Sequence, residues 1–383
     1  MAGRKKLLDW IKNGDPDIVP VMFGSHKDII ASYYKVKPEE LTMKQVEEEA
    51  KKIGIEVTNS LGSMTLFDVL PYCPDMRMET REEKLDNGTV RTFRTLYTPK
   101  GEMNDVREKP PTWESAPKEC FVKTEADLPA FEYFVKSTVR TAVEDPHFKQ
   151  ELLKKGRENK GLMSGDVVTV WGTWTPIFEL TCTNFVMADA AIFLLYDHTS
   201  LFEELMELIW EKDKAVMLAV GDELDADIFM TAINGLEWYS PSLYEKYMIP
   251  QGRCLFRWGH DRGRMSWLHT CGKMNGLIKN GTYDRLRPTV LESLSSLPLG
   301  DIDDMKEARS RLGSSIVTRG GMNVEVIFSG TVEEVRKQTH RILDGTRGYR
   351  HMIGDTNGHF YGDPPENIKA VIDTVRERGQ AFS

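Results

Sequence analysis

Met265-Ser-Trp-Leu-His-Thr-Cys-Gly272 sets an imidazole and a thiol two positions apart in a strand-like run. On a β-strand alternate side chains share a face, so Trp267, His269 and Cys271 are expected to point the same way. Gly272 ends the run and leaves His269 and Cys271 at its C-terminal end. Imidazole and thiolate are preferred ligands of zinc, so the pair reads as part of a metal site. A hydrogen-bonded core histidine beside a small buried cysteine has the same spacing and is the plainer alternative. A catalytic zinc needs at least one more protein ligand and an open position. No cysteine follows Cys271, which leaves Glu292 in Thr289-Val-Leu-Glu-Ser-Leu294, or Asp355 and His359 in Gly354-Asp-Thr-Asn-Gly-His359.

Other side chains carry softer signals. Asp68, an acid in Leu66-Phe-Asp-Val-Leu70, either faces a cavity or caps a helix. With Glu292 it is a candidate proton donor, provided burial raises its pKa. His26 follows Phe23-Gly-Ser25, while Trp171 and Trp174 flank Gly172-Thr173 and are candidate walls for a planar substrate. Glu237 in Asn234-Gly-Leu-Glu-Trp238 completes the substrate-binding candidates, although a surface acid is its commoner role.

The elements that must position these groups alternate along the chain. Strand-like runs are expected at Val19–Gly24, Ile55–Ser60, Asp166–Thr173, Asp225–Thr231, Met265–Cys271, Thr289–Leu294, Ser315–Gly320 and Tyr349–Asp355. Helical stretches with apolar residues at three- and four-residue spacing separate them. From Ser200 to Ala219 the stripe is Leu201, Leu205, Leu208, Ile209 and Val216, with Ser200/Glu203 as a capping box. From Thr331 to Leu343 it is Val332, Val335 and Ile342, with Thr331/Glu334 as the box. Strand–helix alternation predicts a parallel sheet, and eight units predict its closure into a (β/α)8, or TIM, barrel of α/β class. Barrel enzymes keep their active sites where the strands end, the position given to His269 and Cys271. Residues 1–383 read as a single barrel domain, interrupted near residues 76–107 by a β-hairpin insertion expected over one barrel end. There, Thr89-Val-Arg-Thr-Phe-Arg-Thr-Leu-Tyr97 alternates between turns at Asp86-Asn-Gly88 and Pro99-Lys-Gly101.

Composition narrows the function. A hydrophobic share of 40% and a charged share of 28% are those of an ordinary globular enzyme. A net charge of -9 argues against a nucleic-acid partner, which needs a basic face. No apolar run suits a signal peptide or approaches a membrane span. Five scattered cysteines (Cys73, Cys120, Cys182, Cys254 and Cys271) do not suggest a disulfide framework, so a reducing cytoplasm is expected.

His269-Thr-Cys-Gly272, Leu66-Phe-Asp-Val-Leu70 and Gly358-His359 followed by Pro364-Pro-Glu-Asn367 together resemble the uroporphyrinogen decarboxylase superfamily. Ser240-Pro-Ser-Leu-Tyr-Glu-Lys-Tyr247, Gly320-Gly-Met-Asn323 and Gly330-Thr-Val-Glu-Glu-Val335 extend the likeness in order, from about residue 5 to 380. The resemblance implies a TIM barrel, in agreement with the alternation. Within it, the decarboxylases use an Arg-Gln-Ala-Gly-Arg segment after the first strand to hold a many-carboxylate tetrapyrrole, and they lack His-x-Cys-Gly. Here that segment reads Phe23-Gly-Ser-His-Lys-Asp28, without arginine.

The chain is more similar to the zinc-dependent methyltransferases that work with corrinoid proteins. In the coenzyme M type a later cysteine joins His-x-Cys; here Asn357 or His359 stands in that neighbourhood. Thr98-Pro-Lys-Gly101 is more like members that demethylate a substrate, methoxylated aromatics included, some of which use carboxylate and histidine zinc ligands. No Asp-x-His-x-x-Gly corrinoid signature occurs, so the resemblance implies a cobamide delivered on a partner corrinoid protein. It thus implies Zn2+, a small-molecule methyl donor and O-demethylation as one reaction; a homodimer is compatible with the family. Methyl transfer to a zinc-activated thiol, a metal-free decarboxylase-like lyase and a non-catalytic binding module are the alternatives. The methyl donor and the direction of transfer stay open.

Overall fold

The computed structural model describes residues 3–111, 115–182, 185–186, 188–233, 240–356 and 362–382. By internal contacts the chain divides into two compact units, residues 1–61, 157–171 and 226–383, and residues 62–156 and 172–225. Eleven strands are described: β1 (Thr58–Gly62), β2 (Arg77–Lys84), β3 (Val90–Thr98), β4 (Gly101–Lys109), β5 (Ala116–Glu119), β6 (Val168–Trp174), β7 (Ile228–Ala232), β8 (Met265–His269), β9 (Val290–Ser293), β10 (Val317–Met322) and β11 (His351–Asp355).

Seven of them form one sheet in the order β1-β6-β7-β8-β9-β10-β11, with the β7–β8, β8–β9, β9–β10 and β10–β11 pairs parallel. The remaining place is filled by the first strand-like run. Val21 bridges Ile353, the Met22 N–H donates to the Ile353 carbonyl (2.8 Å), and the Ile353 N–H donates to the Pro20 carbonyl (2.9 Å). On its other side the Glu56 N–H donates to the Val21 carbonyl (2.7 Å). This segment forms isolated bridges and not a continuous strand, because Pro20 has no N–H to give the ladder. Gly354 permits the approach: a Cβ there would lie 1.8 Å from the Met22 carbonyl oxygen. With this eighth position filled the sheet closes, and the fold is the TIM barrel expected from the alternation.

Strand periodicity sorts the barrel residues into two cores. Met22, Val168, Val170, Ile228, Met265, Trp267, Val290, Val317 and Met352 form the inner one, at whose base pack Leu7, Trp10 and Ile11 of the helix Arg4–Asn13. Val21, Phe23, Ile55, Val57 and Ile353 face outward, against helices that supply Ile29, Ile30, Val335, Ile342 and Val371. Of the helix Val332–Gly345, Val335 and Ile342 are buried as expected and Val332 is exposed. Its capping box is present: the Thr331 N–H donates to Glu334 Oε2 (2.7 Å) and the Glu334 N–H to Thr331 Oγ1 (3.3 Å).

The second unit contains the antiparallel sheet β2-β3-β4-β5. The expected hairpin is thus larger than its 76–107 bounds: both turns form, giving a three-strand meander, and Ala116–Glu119 pairs with β4 as a fourth strand. The other capping box does not form. The helix starts at Thr199 with His198 as its N-cap, so Ser200 lies inside the first turn. The helix then passes through a π-turn, Asp213–Met217, before Leu218–Leu224. At this turn a fully buried ionic group sits in the unit: Lys212 Nζ lies 2.8 Å from Glu179 Oε2 and 3.4 Å from Asp213 Oδ1. No described helix is long and apolar enough to cross a membrane.

One buried barrel histidine predicts a pH dependence. His351 is inaccessible to solvent, with Nδ1 2.9 Å from Thr318 Oγ1. Burial, helped by the nearby Arg309 charge, pushes its pKa from 6.5 down to about 3. A base with a depressed folded-state pKa contributes its full stability above the unfolded value and loses it as pH falls towards the folded one. Between pH 6.5 and 3 His351 therefore removes about 1.4 kcal/mol of stability per pH unit. Urea unfolding at pH 7 and 5.5 is expected to show this slope, reduced by one proton's worth in His351→Gln; an unchanged slope contradicts the assignment.

Candidate active site in the barrel

β8 ends at His269, and β9 and β10 bring Glu292 and Arg319 to the same level, in register His269↔Glu292↔Arg319. Each falls on the inward parity of its strand, two beyond Trp267, Val290 and Val317. Glu292 Oε1 lies 2.6 Å from His269 Nδ1, and Arg319 Nη1–H donates to Glu292 Oε2 (2.7 Å). Arg319 Nη2–H donates to Asp355 Oδ1 (2.7 Å), and its Nε–H to the Met22 carbonyl (3.1 Å). Asp355 Oδ1 also accepts the Gly24 N–H at 2.5 Å. Gly24 is glycine for room, since a Cβ there would sit 2.9 Å from Asp355 Oδ2. A chain of alternating charge thus runs His269–Glu292–Arg319–Asp355, with Glu292, Arg319 and Asp355 all buried.

The electrostatics fix the protonation states. Burial would lower the His269 pKa, but hydrogen bonding and charge from Cys271 and Glu292 carry it up to about 10. Burial would raise that of Glu292, but Arg319 and His269 bring it down to about 2. Glu292 is therefore ionised at neutral pH, which corrects its expected role as a proton donor. Such a carboxylate instead orients the imidazole and increases its basicity, leaving Nε2 for a ligand. Cys271 is half-buried beyond the strand end and hydrogen-bonds to His269. Beside it, burial pushes the Tyr244 hydroxyl well above its usual pKa, near Tyr283 and Thr270.

A cavity of about 170 Å3 lies on the barrel axis, lined by Met22, His26, Val170, Met230, Trp267 and Glu292 among others; Thr58, Ser60 and Arg319 complete its polar wall. These residues come from almost every strand position of the ring. His26 begins the helix His26–Tyr34, and its Nε2 accepts the Thr58 N–H at 3.0 Å. Burial first, then Arg319, takes its pKa down to about 4, so it is neutral at pH 7 with its proton on Nδ1.

The structure thus brings His269 beside Cys271 and Glu292, links Asp355 to Glu292 through Arg319, and sets His26 on the cavity that Glu292 lines. Asp355, expected as a metal ligand, is instead engaged by Arg319 and the Gly24 amide. Asp68 is exposed and caps the short helix Leu66–Val69, its Oδ2 accepting the Thr65 N–H at 2.8 Å, so its pattern was that of a cap. Trp171 is fully buried on the opposite parity from Val168 and Val170, hence outside the cavity. Trp174 stacks on Phe178 at 5.1 Å within the second unit. His359 and Glu237 lie outside the described residues. Among the described residues no three His, Cys, Asp or Glu side chains are grouped to hold a metal ion. Two donors, His269 and Cys271, stand together with the carboxylate that a metal-bound imidazole characteristically has behind it.

Arg319 and the place of Trp267 on the cavity wall were missed from the sequence. The signal for the first was present: an arginine in Ile316-Val-Thr-Arg-Gly320, at the inward parity of an apolar strand, requires buried carboxylates.

Comparison with known proteins agrees with this architecture. Among solved structures, a methyltransferase from Methanosarcina mazei is similar over 98% of each chain, with a TM-score of 0.61 and 16% identity, a likeness of fold. A curated uroporphyrinogen decarboxylase from Gluconobacter oxydans is 22% identical over 250 residues, 63% of this chain and 69% of that protein. One from Psychromonas ingrahamii is 30% identical over 80 residues, 21% of this chain and 22% of that protein. The family model described as uroporphyrinogen decarboxylase (URO-D) matches residues 164–378, the stretch that carries β6 to β11 and the charged chain from His269 to Asp355, and the protein belongs to that family.

Proposed function

We propose that this protein is a zinc-dependent methyltransferase that moves a methyl group from a small methylated compound, a methoxylated aromatic among them, to the cob(I)amide of a separate corrinoid protein. The observation that carries the reading is the His269–Glu292 pair beside Cys271 at the end of β8. His269 Nε2 and the Cys271 thiolate would hold the metal, and His359 is the candidate third donor. Zinc bound there would supply Lewis acidity to the heteroatom that loses the methyl group.

The chain's own residues would do the rest. Glu292 fixes the imidazole ring and its tautomer through Nδ1, and Arg319 keeps Glu292 ionised for that task. The axial cavity binds the donor away from bulk water and orients it, which removes the entropic cost of a bimolecular encounter. Arg319 also argues against a decarboxylase acting on a tetrapyrrole. It is neutralised by Glu292 and Asp355, and cannot serve several substrate carboxylates as well.

The test is methyl transfer from methoxylated aromatics to a reduced corrinoid protein, followed by the visible spectrum of the cobamide. Removing zinc with a chelator is expected to lower the rate by about tenfold or more, and adding zinc to restore it. A rate indifferent to chelation overturns the reading, as does stoichiometric metal analysis that finds no zinc.

A further inference from the structure

β2 is the outer strand of the four-stranded sheet in the second unit, and among the described residues it pairs on one side only, with β3. All of its residues are exposed except Met78, which is half-buried. Its outer edge therefore presents a row of backbone N–H and C=O groups on which another strand can pair. Charged side chains ordinarily guard such an edge, and β2 reads Arg77-Met-Glu-Thr-Arg-Glu-Glu-Lys84. The order of these charges decides which strand is repelled and which is received.

Arg77, Glu79, Arg81 and Glu83 share one face of the sheet, opposite Tyr97, Thr95, Phe93 and Arg91 of β3. Positive and negative charge thus alternate along that face. The Arg77 guanidinium lies 3.9 Å from the centre of the Tyr97 ring, and that of Arg81 lies 4.1 Å from the centre of the Phe93 ring. The rings hold both cations on the sheet and reduce the entropy lost when they meet a partner.

Two copies of one strand related by a twofold axis pair antiparallel, each residue opposite one of the same backbone parity. Centred on Thr80, the pairing sets Arg77 against Glu83 of the second copy and Glu79 against its Arg81. Symmetry repeats both contacts, so every charge of the face meets an opposite one. Centred on Arg81, it sets Arg81 against itself and Glu79 against Glu83. Centred on Glu79, it sets Glu79 against itself and Arg77 against Arg81. Both neighbouring registers bring like charges together, so the charge order selects the one on Thr80.

We infer that this chain self-associates through β2, two copies joining edge to edge in the register centred on Thr80 so that their four-stranded sheets become one. A pair of strands of this length buries less than the ~1,200 Å2 of a standard interface, so the dissociation constant is on the order of 10 μM. The inference goes beyond the methyl-transfer reading and does not depend on it.

The experiment is sedimentation velocity on the full chain from about 1 to 100 μM, where a reversible monomer–dimer equilibrium is expected. Arg81→Glu turns the contacts between Glu79 and position 81 into like-charge contacts and is expected to weaken the dimer about tenfold or more. The swapped variant Glu79→Arg/Arg81→Glu restores opposite charges in the same register and is expected within about threefold of the native chain. It also lacks the arginine over Phe93, so its recovery cannot come from contacts inside one copy.

A thiol reports the register directly, in a chain whose exposed Cys254 is first changed to serine. Thr80→Cys sets two thiols opposite each other with Cα atoms about 4.5–5.5 Å apart, within disulfide reach, and mild oxidation is expected to cross-link the dimer. Glu82→Cys lies on the same face, yet its two copies would be roughly 13 Å apart along the strands, and it is expected to stay free. A chain that stays monomeric throughout, a dimer that Arg81→Glu leaves intact or the swap does not recover, or cross-linking of Glu82→Cys as fast as Thr80→Cys overturns the inference.

Discussion

Arg319→Met is expected to destabilise the protein by about 3–5 kcal/mol at pH 7, the cost of breaking a buried ion pair from one side. Methionine fills much of the same volume, so the loss is electrostatic. Glu292 and Asp355, 5% and 1% exposed, would remain as carboxylates without the guanidinium that now bridges them. The pH dependence separates this from a packing defect. In the native protein Glu292 has a folded pKa of about 2, below its usual 4.5. Its stabilising contribution is present above pH 4.5 and is lost only as pH falls towards 2, so it is constant between pH 7 and 5.5. In the variant the largest charge that holds the Glu292 pKa down is gone, burial is opposed only by His269, and the Glu292 pKa rises. Folding then takes up protons, and the deficit against the native protein shrinks as pH falls from 7 to 5.5. The His351 slope is common to both proteins and cancels in the difference. Adding Glu292→Gln to the variant is expected to recover part of the loss. Urea unfolding at the two pH values measures all of this; a deficit at pH 7 below about 1 kcal/mol, the scale of an exposed pair, contradicts the buried network.

The legibility of this molecule follows from which interactions are local. Strand periodicity needs only neighbours in sequence, so the inward parity of Trp267 and His269 could be read directly, as could seven of the barrel strands. Val19–Gly24 was legible as a strand position but not as isolated bridges, which depend on Pro20 lacking a donor against Ile353. Thr331/Glu334 and Ser200/Glu203 have the same spacing, yet only the first is a capping box. The helix has its N-cap at His198, two residues before Ser200, which therefore lies inside the first turn and caps nothing. The candidate acids show the deeper limit. Asp68, Glu292 and Asp355 are all acids in apolar or turn-rich runs, and nothing local separates them. The fold gives Asp68 to a helix cap and the other two to Arg319, a residue 27 positions from Glu292 and 36 from Asp355. Burial alone suggested raised carboxyl pKa values; the cation on the neighbouring strand reversed the sign for Glu292.

His269→Ala is expected to abolish stoichiometric zinc and to lower methyl transfer by about a thousandfold, the equivalent of several kcal/mol of lost charge stabilisation. The imidazole is one of the two donors that stand together at the end of β8, and an alanine there leaves Cys271 without its neighbour. Glu292→Gln provides the graded comparison. The amide oxygen can still accept from His269 Nδ1, so the ring keeps its place, but the charge that raises the imidazole's basicity is gone. Losing an outer partner of this kind costs about 10–100-fold in metal affinity or activity, so this variant is expected between the native protein and His269→Ala. The order is informative because the two changes disturb the fold in the opposite sense. The His269 side chain is 24% exposed at a strand end, whereas the Glu292 side chain is 7% exposed and pairs with Arg319. If loss of activity merely tracked loss of structure, Glu292→Gln would be the worse of the two in both respects. Metal content by elemental analysis, transfer rate and melting temperature, measured together on each variant, distinguish the cases. A His269→Ala protein that keeps its zinc and its rate assigns the imidazole to packing, and the metal would then have to be sought elsewhere in the chain.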